Sequence, residues 1–201
     1  MTGRLQIFIS MGPDLEMERE VLGKVIAELP LSVGWVIKHT PLGGEPGDPA
    51  MEAVSACDFY ALLVGADITA PMGAELYVAR RSGKRIVALL KETSRTPAAY
   101  VFVKQLPEEW QRFSEQRELE RLFRRSLVDQ ILERPEGLGI DVADWEALSV
   151  LSTELVDEAS PHDEEEAVRP DGGAGGDAVI VSPTRDVPSG GVLIEKKKGP
   201  S

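Results

Sequence analysis

Along the first half of the chain, short apolar blocks alternate with segments whose apolar residues recur at helical spacing, the pattern of strands alternating with amphipathic helices. Arg4 to Ser10 reads as a first strand ending in the loop Met11-Gly12-Pro13, and Asp14 follows as an N-cap. The next helix carries Leu15, Val21, Leu22, Val25, Ile26 and Leu29 in amphipathic order and stops at Pro30. Val33 to Lys38 is a second strand, Thr40 to Pro49 a Gly/Pro-rich loop long enough to border a site, and Ala50 to Cys57 a short helix. Phe59 to Val64, bounded by Asp58 and Gly65, is apolar throughout, so it reads as a buried parallel strand. Helical spacing takes over after Gly73, with Leu76, Ala79 and Arg80 on one side, and ends near Gly83; Arg85 to Leu90 is another buried strand.

Strands alternating with helices at this spacing imply an α/β fold, a parallel sheet of four or five strands covered on both faces through right-handed crossovers. Ala99 to Val103 is expected as an edge strand. Glu108 to Phe113 and Glu115 to Glu133 are expected to be helical, the second with Leu119, Leu122, Phe123, Leu127, Val128 and Ile131 on one face. Asp141 to Glu158 reads as a last helix. The divisions expected are an α/β domain over 1–133, a helical extension over 134–158 and a tail over 159–201. The tail runs through Asp163-Glu-Glu-Glu166 and Asp171-Gly-Gly-Ala-Gly-Gly176, which have too little apolar surface to order themselves. Beyond it, Ala178 to Val181 and Gly191 to Ile194 resemble the arms of a small hairpin; residues 178–198 read either as disordered or as a strand donated to a partner's sheet edge.

Composition narrows the function. A net charge of −12 argues against a nucleic-acid surface, which needs clustered Lys and Arg. No stretch is long and apolar enough for a membrane span and no apolar leader opens the chain, so a cytoplasmic protein is expected. The single cysteine, Cys57, allows no internal disulfide or multi-cysteine metal site and is expected to be buried and inert. His39 and His162 are the only imidazoles, which makes a Ser-His-Asp triad improbable; phosphate-loop and dinucleotide-loop patterns are missing.

Carboxylates remain as the chemistry. The turn from the Phe59 strand into the following helix places Glu75 in the first helical turn, at the carboxyl end of the sheet, where open α/β folds bind ligands and a helix N-terminus favours the ionised form. Ser10, Asp14 and Asp67 fall on the same edge, as do Met11, Gly12, Gly65 and Gly73. Such a cleft could hold a ribose, because a carboxylate accepts hydrogen bonds from sugar hydroxyls and stabilises an oxocarbenium-like transition state. Arg19 on the first helix reads as a solvated side chain or a partner for a carboxylate or phosphate.

The run Gly73-Ala-Glu75-Leu-Tyr-Val-Ala79, continued by Gly83-Lys84-Arg-Ile-Val-Ala-Leu89, resembles the G-x-x-E-L-x-x-A and G-K-x-I-x-x-L segment of nucleoside 2-deoxyribosyltransferase-like proteins. Ile7-Phe-Ile-Ser10, Asp14-Leu15, Glu18-Arg19 and Ala56-Cys-Asp58 are similar to a TIR-like domain of unknown function at the N-termini of bacterial signalling NTPases. The resemblance implies a flavodoxin-like architecture over about residues 4–91 and a catalytic Glu75. It further implies a nucleotide-type pocket and cleavage of the N-glycosidic bond of NAD or a nucleoside derivative, in a signalling or prokaryotic defence system. NAD or a nucleotide would then be substrate or ligand, with no separate cofactor and no metal. TIR domains also assemble without catalysis, so the alternative is a homo-oligomeric scaffold that engages a protein partner through its tail. Met11, Gly12, Pro71 and Met72 replace hydroxyl-bearing or otherwise typical residues of these families.

Overall fold

The computed structural model describes residues 4–40 and 48–157. The readings of the tail, of His162 and of most of the loop before Pro49 lie outside them. Five parallel strands, β1 (Arg4–Met11), β2 (Gly34–His39), β3 (Phe59–Val64), β4 (Ile86–Lys91) and β5 (Gln111–Phe113), form one sheet in the order β2-β1-β3-β4-β5. The connecting helices are α1 (Glu16–Glu28), α2 (Asp48–Ala56), α3 (Ala70–Arg81), α4 (Pro97–Gln105) and α5 (Gln116–Glu133), and α6 (Val142–Asp157) follows. This is the flavodoxin-like order, with its topological switch between β1 and β3.

β3 is buried at all six positions because it has strands on both sides and helices on both faces. Strand alternation divides the core. Ile7 and Ile9 of β1, Ala61 and Leu63 of β3 and Leu89 of β4 pack with Leu22 and Val25 of α1 and Phe123 and Leu127 of α5. Phe8, Tyr60, Leu62 and Leu90 pack on the other face with Val54 of α2 and Met72, Leu76 and Ala79 of α3. α6 adds Leu148 and Leu155 to the first cluster and is tied to the α1–β2 connection by Asp144, whose two oxygens accept from Ser32 N and Ser32 Oγ, each at 2.8 Å.

Two expectations for the second half are corrected. Ala99 to Val103 lies in α4: Thr96 caps that helix, its Oγ1 accepting from Ala99 N at 3.2 Å, and Pro97 supplies a preset first turn. Glu108 to Phe113 is no helix. Its end, Gln111–Phe113, pairs with β4 through Leu90 opposite Arg112, and Phe113 reaches the first core cluster while Trp110 packs against the second. Tertiary pairing overrides a weak local propensity there. No described helix is long and apolar enough to cross a membrane.

Candidate functional site

The carboxyl edge of β1, β2 and β3 carries two tiers of polar groups, one buried and one exposed. Ser10 is an even-numbered residue of β1, so it shares a face with Phe8 and points toward α3. On α3 the buried positions are Met72, Glu75, Leu76 and Ala79, the i, i+3, i+4, i+7 stripe of a core-facing helix. Glu75 therefore occupies an apolar-stripe position and has no exposed surface. α3 starts at Ala70 behind Thr69, so Glu75 lies beyond the first turn expected for it, and Arg80 is exposed, paired with Glu108 at 2.5 Å.

Glu75 Oε2 accepts from Ser10 Oγ at 2.6 Å and from Thr40 Oγ1 at 2.7 Å. Thr40 stands just past the end of β2, and its Oγ1 also accepts from Met11 N at 3.1 Å, so three segments distant in sequence meet at one oxygen. Oε1 has no hydrogen-bond partner among the described residues, and neither has the buried Tyr60 hydroxyl. Burial pushes the Glu75 carboxyl above its usual range, while the Ser10 and Thr40 hydroxyls act against that shift by stabilising the charged form. Burial also pushes the Tyr60 hydroxyl well up; Ser10 opposes this and the charge of Glu75 adds to it. The group expected to be held ionised by a helix end is thus governed by desolvation, with one oxygen fixed by two donors and the other unfilled.

The exposed tier lies at the switch between β1 and β3. Asp14 does not cap α1, whose N-cap is Leu15; its Oδ2 instead accepts from Ala66 N at 2.8 Å across the switch. Two glycines make room for this bridge. A Cβ at Gly12 would stand 2.5 Å from Asp14 Oδ1, and one at Gly65 would overlap Asp14 Oδ2 and come to 2.9 Å from Leu15 Cδ2. Asp67 is exposed, its Oδ1 accepting from Thr96 Oγ1 at 2.7 Å and Ile68 N at 2.8 Å, and the Thr96 hydroxyl first, then that amide, hold its carboxyl below the usual range.

Of the expected site residues, Ser10 and Glu75 meet directly, and Met11 joins through its backbone while its side chain packs in the first core cluster. Asp14, Gly12 and Gly65 form the bridge, and Asp67 braces the β4–α4 loop. Gly73 sits inside α3, where a Cβ would meet nothing within 4 Å, so no close approach requires it. Arg19 pairs with Glu16 on its own helix, and with burial, the larger cause, it lowers the pKa of His39. Cys57 is buried, its thiol pushed up mainly by burial. Sequence reading missed Thr40 and Tyr60. The available signal was strand alternation, which puts Thr40 on the Ser10 side of β2. Among the described residues no group of three His, Cys, Asp or Glu side chains could hold a metal ion.

Fold and site together define a flavodoxin-like α/β domain with a buried carboxylate at the carboxyl edge of its sheet. No protein-family model matches the chain, and no curated protein matches it. Among solved structures it is similar to the Clostridium botulinum CMP N-glycosidase BcmB, at 19% identity and a TM-score of 0.40, over 58% of this chain and 97% of that one.

Proposed function

We propose that this chain is a TIR-like signalling or effector module that binds a nucleotide-type ligand at the carboxyl edge of β1 and β3 and cleaves its bond between ribose and base. The observation that supports this reading is the state of Glu75: a carboxylate in a core stripe, held through Oε2 by Ser10 and Thr40 and left with Oε1 unfilled. A buried, unsatisfied oxygen is costly to fold around, and such groups concentrate at functional sites. In the proposed reaction the C1′–N bond breaks with its electron pair leaving on the base: a nicotinamide departs neutral, whereas a nucleobase takes up a proton that is balanced by the one the capturing water releases. The Glu75 carboxylate stabilises the ribosyl cation until water captures it. Ser10 and Thr40 keep that carboxylate oriented and favour its ionised form.

The rival reading is a non-catalytic interaction domain. Glu75 has no exposed surface and stands in the core-facing stripe of α3, which favours a structural carboxylate. Incubation of the protein with NAD, NADP and nucleosides, with free base followed by chromatography, separates the two. Release that disappears in Glu75→Gln with the fold intact supports the glycosidase. No release at high protein concentration leaves the interaction module.

A further inference from the structure

A cavity of about 390 Å³ opens between the carboxyl end of β4, β5 and α4. Its wall carries Arg95, Lys104 and Arg112 with Tyr100, Trp110 and Val103, and none of the residues lining it is acidic. The three cations form no ion pair with a described residue. In a chain of net charge −12, they concentrate positive field in a concave site, where an anion is attracted most strongly.

The fold brings these groups together from three elements. Arg112 lies opposite Leu90 in the β4–β5 pairing. Tyr100 and Lys104 stand one turn apart on α4, with Lys104 Nζ 6.0 Å from the Tyr100 ring centre. Arg95 reaches back from the β4–α4 loop to donate to Lys91 O. Its Nε and the indole Nε1 of Trp110 are both buried without a hydrogen-bond partner. The wall thus offers charged donors and aromatic faces, but no side-chain carboxylate to compete with an incoming anion. Guanidinium and ammonium donors match phosphate oxygens, and aromatic faces match a planar ring.

We propose that this cavity binds a phosphate-bearing ligand with a planar ring, of the nucleoside mono- or diphosphate class. The phosphate meets Arg95, Lys104 and Arg112, and the ring lies against Tyr100 and Trp110. The site shares no residue with the Glu75 cluster and does not depend on the function proposed for it.

Calorimetric titration of the full chain with AMP, ADP and pyrophosphate tests the assignment. Saturable binding of AMP or ADP is expected, weakening with added salt and falling roughly tenfold or more in Arg112→Gln and in Lys104→Gln. Both positions are exposed, so the fold should survive either change. Arg125→Gln, an exposed change outside the cavity lining, should bind as the parent does. Four results would overturn the proposal: no saturable binding of either nucleotide, affinity unchanged in both variants, pyrophosphate binding as tightly as ADP, or loss of binding in Glu75→Gln, which would move the ligand to the buried carboxylate.

Discussion

Alanine at Gly12 sets one methyl group against one carboxylate, so its cost can be worked from few atoms. The backbone there, φ −79° and ψ 163°, accepts any residue. The added Cβ would stand 2.5 Å from Asp14 Oδ1, while Asp67 O and Asp14 Cγ, at 3.6 and 3.8 Å, are at ordinary contact distance. The cheapest relief is rotation of Asp14, which gives up the 2.8 Å bond to Ala66 N. A hydrogen bond to a charged group contributes about 1.5–3 kcal/mol, and exposure of Asp14 reduces this to about 1–2 kcal/mol. At about 2–4 °C per kcal/mol for a domain of this size, Gly12→Ala should lower Tm by roughly 2–8 °C. Asp14→Ala should cost a similar amount, since it removes the same bond. In the double variant the methyl group keeps only its ordinary contact with Asp67 O and restricts the unfolded chain, contributing about 0.4–1 kcal/mol of stability. The cycle therefore shows strong coupling, well beyond the roughly 0.3–0.5 kcal/mol scatter of independent sites. Urea unfolding of the four proteins measures it. Additive effects, or a Gly12→Ala protein more stable than the parent, would refute the bridge. Gly65→Ala is the control: Leu15 Cδ2 would still stand 2.9 Å from its methyl group, so removing Asp14 should rescue it only in part.

Two further outcomes follow from the geometry. Because burial raises the Glu75 pKa, the folded protein holds more protons than the unfolded chain above the ordinary value of 4.5. The contribution of this group is fully present below that value and is lost as pH rises through the folded pKa, so the stability of Glu75→Gln relative to the parent should grow with pH over that window. Chemical unfolding at stepped pH checks it, and a constant difference would show that Glu75 is not desolvated. Asp144→Ala removes both acceptors for Ser32 and should cost about 2–3 kcal/mol by calorimetry, with α6 loosened first in hydrogen exchange.

The four leading strands were legible because each is a compact apolar block between turn residues, and β3 needed nothing beyond its own six positions. α4 and β5 were misread for a physical reason. Tyr100, Val101, Phe102 and Val103 form an apolar run whose residues are exposed or half-buried on a helix surface, whereas β5 is three residues long and exists by pairing with β4. At the site, Glu75 stood out through its place after a buried strand. Its burial was also encoded, as a glutamate in the Met72, Leu76, Ala79 stripe, but a helix start set after Gly73 concealed that spacing. Strand alternation gives the side on which Thr40 falls, but its partnership with Glu75 and the Asp14 bridge depend on which loop ends the sheet brings together, and no local pattern carries that.

Cys57 gives the protein a built-in chemical clock. It is the single thiol of the whole chain, buried between α2 and β3, with Sγ donating to Val54 O at 3.1 Å and burial holding it protonated. At 2% exposure a thiol reagent reaches it only when the chain around it opens locally, so the modification rate counts those openings. A ligand whose binding that opening disrupts would slow the count.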